Sequence, residues 1–118
     1  MGTGLSASCA CGFEAKTAVG GARSNYRTTC NFPCLCKRCN GMVTANLIAT
    51  PPVCPDCGST DVVPYDQPEL IGTRGTVTVA SYWMQHELGR DLVLTDGLYR
   101  CPKCEGMSLR FVAYMLFD

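Results

Sequence analysis

The sequence predicts a small, mostly β fold stabilised by metal, with short β-hairpins and one short helix, and three observations carry that expectation. Ten of the 118 residues are cysteine, and six of them fall in three Cys-x-x-Cys pairs. The apolar residues come in short runs that end at Gly, Pro or Asn, a strand-and-turn pattern. No helical periodicity persists beyond about ten residues.

A chain of 118 residues suits one domain or two very small lobes, and a lobe of that size needs a staple. Disulfides would require an oxidising compartment, and secreted chains normally open with a basic and then an apolar stretch. The opening Met1-Gly2-Thr3-Gly4-Leu5-Ser6 has neither. No run is long and apolar enough to suggest a membrane span. A cytoplasmic chain with reduced, metal-bound cysteines is therefore expected.

Net charge is zero but unevenly placed. Residues 1–60 carry five basic groups against two acidic ones, a balance of +3, and residues 61–118 carry five against eight, a balance of −3. The first half thus admits an anionic partner. The imbalance is mild, and a pI near 6.5 is below the range of a dedicated duplex binder.

Taken in order, residues 1–8 are expected to be disordered. Cys9-Ala10-Cys11-Gly12-Phe13 reads as a tight turn into a strand from Phe13 to Val19. Gly20-Gly21 breaks it, and Ala22 to Thr29 reads as a loop. Asn31-Phe32-Pro33 leads to the turn at Cys36. A strand from Met42 to Ile48 follows, then a turn through Thr50-Pro51-Pro52, the turn at Cys54 and a short strand at Val62-Val63. Residues 66–76 hold Pro68, Gly72 and Gly75 and read as a linker. Val77 to Val79 favours strand, and Ser81 caps a short helix through Leu88, ended by Gly89. Leu92 to Leu94 and Leu98-Tyr99 flank Thr95-Asp96-Gly97 and read as a hairpin. After Cys101-Pro102-Lys103-Cys104 and a turn at Glu105-Gly106, Met107 to Phe117 forms the last strand. This divides the chain into a central ribbon over 30–66 and a second, discontinuous lobe of 9–29 plus 77–118, closed by the chain ends.

Two residues between thiolates let the backbone fold into a knuckle that aims both sulfurs at one ion. A structural zinc takes four ligands in a tetrahedron, so two knuckles complete one site. Cys36, Cys39, Cys54 and Cys57 are expected to form the first. Fourteen residues separate Cys39 from Cys54, room for two short strands and a turn. Asn40-Gly41 and Gly58 stand where left-handed backbone is needed, and Pro55 brings a fixed φ without a competing amide. Cys101 and Cys104 need two more thiolates, and Cys9 and Cys11 are the best candidates, giving a second site and two ions per chain. Cys30 and Cys34 compete for either site, or are simply buried small hydrophobes beside Phe32.

Cys36-Lys37-Arg38-Cys39-Asn40-Gly41 and Cys54-Pro55-Asp56-Cys57-Gly58 resemble the zinc-ribbon family with its rubredoxin-type knuckles, over about residues 34–65. More loosely, the whole chain resembles small bacterial zinc-ribbon proteins without an established activity. It shares their Cys-x-Cys-Gly-Phe start, Trp-x-Met-Gln and Leu-Gly-Arg stretch and final Cys-Pro-x-Cys. The resemblance implies structural zinc and roles in transcription, translation, RNA handling or protein contact. Iron is an alternative occupant of the same cage.

His86, three residues after Trp83, reads as a half-exposed helix residue. No Ser–His–acid spacing, phosphate loop or paired carboxylate is visible, so no enzyme is expected. The leading expectation is a non-enzymatic module acting through protein–protein contact. A nucleic-acid binder would use Arg23, Tyr26, Arg27, Lys37 and Arg38, with phosphates on the cations and a base on the ring. A rubredoxin-like electron carrier is the third reading. Phe111, Tyr114 and Trp83 are expected in the core, and the strand around Phe117 is a candidate homodimer edge.

Overall fold

The structure is a computed structural model, and it describes residues 2–21, 28–49 and 51–117. Ten strands, one 3-10 turn and a single helical turn follow one another in the described chain. They are β1 (Gly2–Cys9), β2 (Glu14–Gly20), β3 (Asn31–Cys36), β4 (Gly41–Asn46), β5 (Val62–Pro64), the 3-10 turn Pro68–Leu70, β6 (Ile71–Thr73), β7 (Thr78–Tyr82), α1 (Gln85–Leu88), β8 (Leu92–Thr95), β9 (Leu98–Tyr99) and β10 (Leu109–Phe117). The fold is mostly β, as expected. Among the described residues no helix is long and apolar enough to cross a membrane.

Eight strands form one sheet in the order β4-β3-β2-β1-β10-β9-β6, with β5 added alongside β3. The second, small sheet is the antiparallel pair β7-β8. Strand alternation sets the burial: Leu5 and Ala7 of β1, Val19 of β2, and Leu109 and Phe111 of β10 all point into the core. The β7-β8 pair lies against β2 and β10 and buries Ala80, Leu92 and Leu94. Tyr65, Tyr99 and Phe111 meet edge to face, with ring centroids 5.1 to 6.2 Å apart. This arrangement suits the ring quadrupoles. The cluster joins the end of β5 to β9 and β10. The central ribbon and the chain-end lobe therefore share a sheet and an aromatic core.

Four local expectations change. Residues 1–8, expected to be disordered, contain β1, which is paired to β2 on one side and β10 on the other. Its Gly, Ser and Ala residues look structureless in sequence, but a strand flanked on both sides gets its hydrogen bonds and burial from its neighbours. Residues 66–76 are more than a linker. Leu70 is buried and β6 pairs with β9. Ser81 does not cap the helix, because it pairs with Val93 in the β7-β8 ladder, leaving α1 as one turn closed by Gly89 at φ 71°.

The fourth change concerns Thr95-Asp96-Gly97, which does not turn β8 back onto β9. β8 pairs with β7, while β9 pairs with β6 and β10. The Asp96 carboxylate accepts the amides of Thr76 and Val77 at 3.0 and 3.2 Å. Gly97 rests on the Thr73 carbonyl, where any side chain would collide. The two contacts fix this corner against the β6-β7 connection, so the chain crosses between sheets.

The core expectation holds for Phe111 and fails for two rings. Trp83 is 60% exposed and Tyr114 50% exposed. Tyr114 lies over Gly4, with the Lys16 ammonium 4.7 Å from its ring centre.

Candidate metal centres

The first centre is built at one end of β3. Cys36 is the last residue of that strand, Cys39 lies in the turn to β4, and Cys54 and Cys57 lie in the loop between β4 and β5. β5 pairs with β3 through Cys36↔Val62, which brings the second knuckle beside the first. The second centre joins distant parts of the chain. Cys9 ends β1 and Cys11 lies in the turn to β2, while Cys101 and Cys104 lie between β9 and β10. The antiparallel register pairs Cys9 with Leu109 and so carries the first turn to the last knuckle.

All three Cys-x-x-Cys knuckles have one backbone design. The amide of Asn40 donates to the Cys36 carbonyl, Gly58 to Cys54 and Glu105 to Cys101, at 2.8 to 2.9 Å. Those three donors have φ of 56°, 75° and 62°. The left-handed positions expected at Asn40 and Gly58 are therefore present. Glu105 takes the same conformation without glycine's freedom. In the shorter Cys9-Ala10-Cys11 turn, Gly12 at φ 100° donates to the Cys9 carbonyl at 3.0 Å.

In each group the four sulfurs lie within 4.8 Å of one another. Cys36 Sγ is 3.7 Å from Cys57 Sγ, and Cys39 Sγ is 3.8 Å from Cys54 Sγ. Cys9 to Cys104 and Cys11 to Cys101 are both 3.7 Å apart. A tetrahedron with metal–sulfur bonds of about 2.3 Å has edges of about 3.8 Å. Disulfide sulfurs sit at about 2.0 Å. The spacing therefore fits a shared ion and excludes bonded pairs. Two four-cysteine groups within metal-ligating distance could hold two ions, and they consist of the eight cysteines named from the sequence.

Each centre is half buried. Cys36, Cys54 and Cys101 are enclosed, whereas Cys11, Cys39, Cys57 and Cys104 face solvent. Backbone amides point at the sulfurs, Cys39 N to Cys36 Sγ at 3.3 Å and Asp56 N to Cys54 Sγ at 3.4 Å. At Cys54 burial alone would raise the thiol pKa, but the Cys57 and Asp56 amides outweigh it and bring it down to about 7. At Cys9 the Cys11 amide, followed by the Ser108 hydroxyl, lowers it to about 6. Desolvation pushes Cys101 up to about 12. In the first set the neighbouring Cys57 sulfur pushes Cys39 well up, so each set holds one sulfur that ionises readily and one that a bound cation would have to deprotonate.

Cys30 and Cys34 join neither group. Both are fully buried, and desolvation pushes their thiols up to about 11 and about 12. They pack as small apolar residues beside Phe32, one of the two readings their spacing allowed. His86 stays at the surface with its ring edge-on to Trp83 at 5.1 Å and belongs to neither four-cysteine group. Arg23, Tyr26 and Arg27 lie outside the described residues. Lys37 is ion-paired to Glu69 at 3.4 Å, and Arg38 is exposed.

Ser108 is the one contributor that sequence reasoning missed. Its Oγ lies 3.0 Å from Cys9 Sγ. The only sequence signal was its place four residues after Cys104, and that position carries no general rule. Neither a protein-family model, nor a curated protein, nor a solved structure matches this chain.

Proposed function

We propose that the protein is a non-catalytic module organised by two structural zinc ions, working in the reducing cytoplasm by docking on a protein partner. The supporting observation is the sulfur geometry: four thiolates surround each site at tetrahedral spacing and leave no ligand position for water. A catalytic zinc keeps such a position open. Zinc is favoured over iron by the zinc-ribbon resemblance of the knuckles. Ten free cysteines also suit a compartment that keeps thiols reduced.

The docking part rests on the outer end of β10. Val112, Tyr114, Met115 and Leu116 are exposed in succession, with Leu116 at 82%. Beyond Leu109 the strand has no paired neighbour on its β9 side among the described residues. An apolar strand with an open edge is a site for added pairing. The nucleic-acid reading has less support, because Lys37, one of its five residues, is ion-paired to Glu69.

Metal analysis with native mass spectrometry tests the first half, with two zinc ions and no visible absorption expected. A red preparation would make it an iron protein. For the second half, a photo-crosslinking residue at Ala113 should trap protein adducts in the producing cell, a control at Asp91 should not, and Leu116→Glu should abolish them. Steeply salt-dependent RNA or DNA binding in place of adducts would overturn the docking reading.

A further inference from the structure

The two centres share a four-sulfur arrangement but differ in the contacts that their sulfurs receive from outside it. Aligning the knuckles on their cysteines puts Ser108 of the last one at the same place as Asp61 of Cys54-Pro55-Asp56-Cys57 and Val43 of Cys36-Lys37-Arg38-Cys39, four residues beyond the second sulfur. Only at Ser108 does this position reach a ligand. Its hydroxyl oxygen is 3.0 Å from Cys9 Sγ, on the far side of the β1-β10 pairing. In the first centre the hydrogen bonds to sulfur, other than those between sulfurs, come from the main-chain amides of Cys39 and Asp56.

The difference follows from how the second centre is assembled. A Cys-x-x-Cys knuckle has two intervening residues and a helical-type closure that aims amides at its sulfurs. Cys9-Ala10-Cys11 has one intervening residue, and its closing bond spans three residues instead of four. The turn thus offers the Cys9 sulfur one amide, that of Cys11, where the Cys54 sulfur has two, those of Cys57 and Asp56. A metal-bound sulfur carries no proton, so in the loaded protein the hydroxyl is the only possible donor of this pair. Hydrogen bonds to an ionised acceptor are about twice as strong as neutral ones.

We propose that Ser108 is a positioning residue of the second metal centre, its hydroxyl donating to the Cys9 thiolate and holding that sulfur toward the ion. The inference rests on the metal-binding reading and adds an asymmetry to it. Retention of the second ion depends on a side chain, while retention of the first depends on sulfurs and backbone. Groups of this kind around metal sites are worth roughly 10- to 100-fold in metal affinity.

The test uses the full chain loaded with two zinc or cadmium ions. Ser108→Ala should weaken the centre containing Cys101 by roughly 10- to 100-fold in chelator competition and leave the centre containing Cys36 unchanged. Cadmium NMR should show one of the two resonances moving, and Ser108→Thr should restore both affinity and shift. Unchanged affinity and unmoved resonances in a variant that still binds two ions would overturn the role of Ser108 alone. Equal weakening at both centres without rescue by threonine would also overturn it, in favour of plain packing. Wild-type protein that binds no ion at Cys9, Cys11, Cys101 and Cys104 would overturn the metal reading itself.

Discussion

The Tyr65 hydroxyl donates a 2.8 Å hydrogen bond to the carbonyl of Arg100. Tyr65 follows β5, the strand that completes the first centre, and Arg100 immediately precedes Cys101 of the second. Burial pushes the phenol pKa well up, so it stays a donor across the physiological range. One bond thus connects the supports of the two centres through the aromatic core.

Tyr65→Phe keeps the ring contacts and orphans the carbonyl. An unsatisfied buried acceptor costs about 1–3 kcal/mol. Urea unfolding of the metal-loaded variant should therefore show a loss in that range, with both ions still bound. A loss near zero would mean that water replaces the hydroxyl.

Because the centres share no ligand, they should be separable by mutation. Cys36→Ser should leave one ion per chain, and Cys101→Ser should leave the other one, both read by native mass spectrometry. Chelating both should remove most ordered β structure by circular dichroism. Structural zinc in finger peptides supplies about 10–16 kcal/mol against a typical net domain stability of about 5–15 kcal/mol. A metal-free protein with unchanged spectrum and cooperative unfolding would contradict the structural role.

The parts of this fold that could be read in the sequence are those fixed by short spacing. Cys36 and Cys39 fall on one side of a knuckle because two residues lie between them, whereas counting thiolates in fours left Cys9 and Cys11 in competition with Cys30 and Cys34 for the place beside Cys101 and Cys104. What could not be read depends on distant neighbours. Gly2 to Cys9 has little strand propensity of its own and becomes a strand because β2 and β10 supply both its ladders. Leu92 to Leu94 and Leu98-Tyr99 alternate as a hairpin would, yet the Asp96 side chain is committed to Thr76 and Val77, outside the local window. Tyr114 leaves the core because Gly4 offers it a flat bed on the outer face beside Lys16.

Two of the close-packed glycines, Gly4 and Gly97, should respond differently to alanine. At Gly4 a Cβ would come within 2.7 Å of Met115 Cγ and 3.1 Å of Tyr114 Cζ, both on exposed side chains that can swing aside. At Gly97 it would strike the Thr73 carbonyl, which is backbone and cannot. Overpacking costs about 1–3 kcal/mol, so Gly97→Ala should reach or exceed the upper end and Gly4→Ala stay near the lower. Thermal unfolding of the two variants checks the order, and a larger loss at Gly4 would contradict it.

Cys30 gives a pH dependence of definite sign. Desolvation, aided by the charge of Glu87, raises its thiol from 9.0 to about 11 in the folded protein. Below pH 9 both states hold the proton and the group contributes no slope. Between there and about 11 the unfolded chain releases the proton while the native one keeps it, so stability falls with rising pH, by up to ~1.4 kcal/mol per pH unit. Cys30→Ala carries a fixed cavity cost but lacks this titration. Urea midpoints taken in steps from about pH 8 to about pH 11 should therefore show the wild-type advantage shrinking as the pH rises, by on the order of 2 kcal/mol in all. Parallel curves would mean that the Cys30 sulfur reaches water in the folded state, and the buried β3 core would then be more open than its packing indicates.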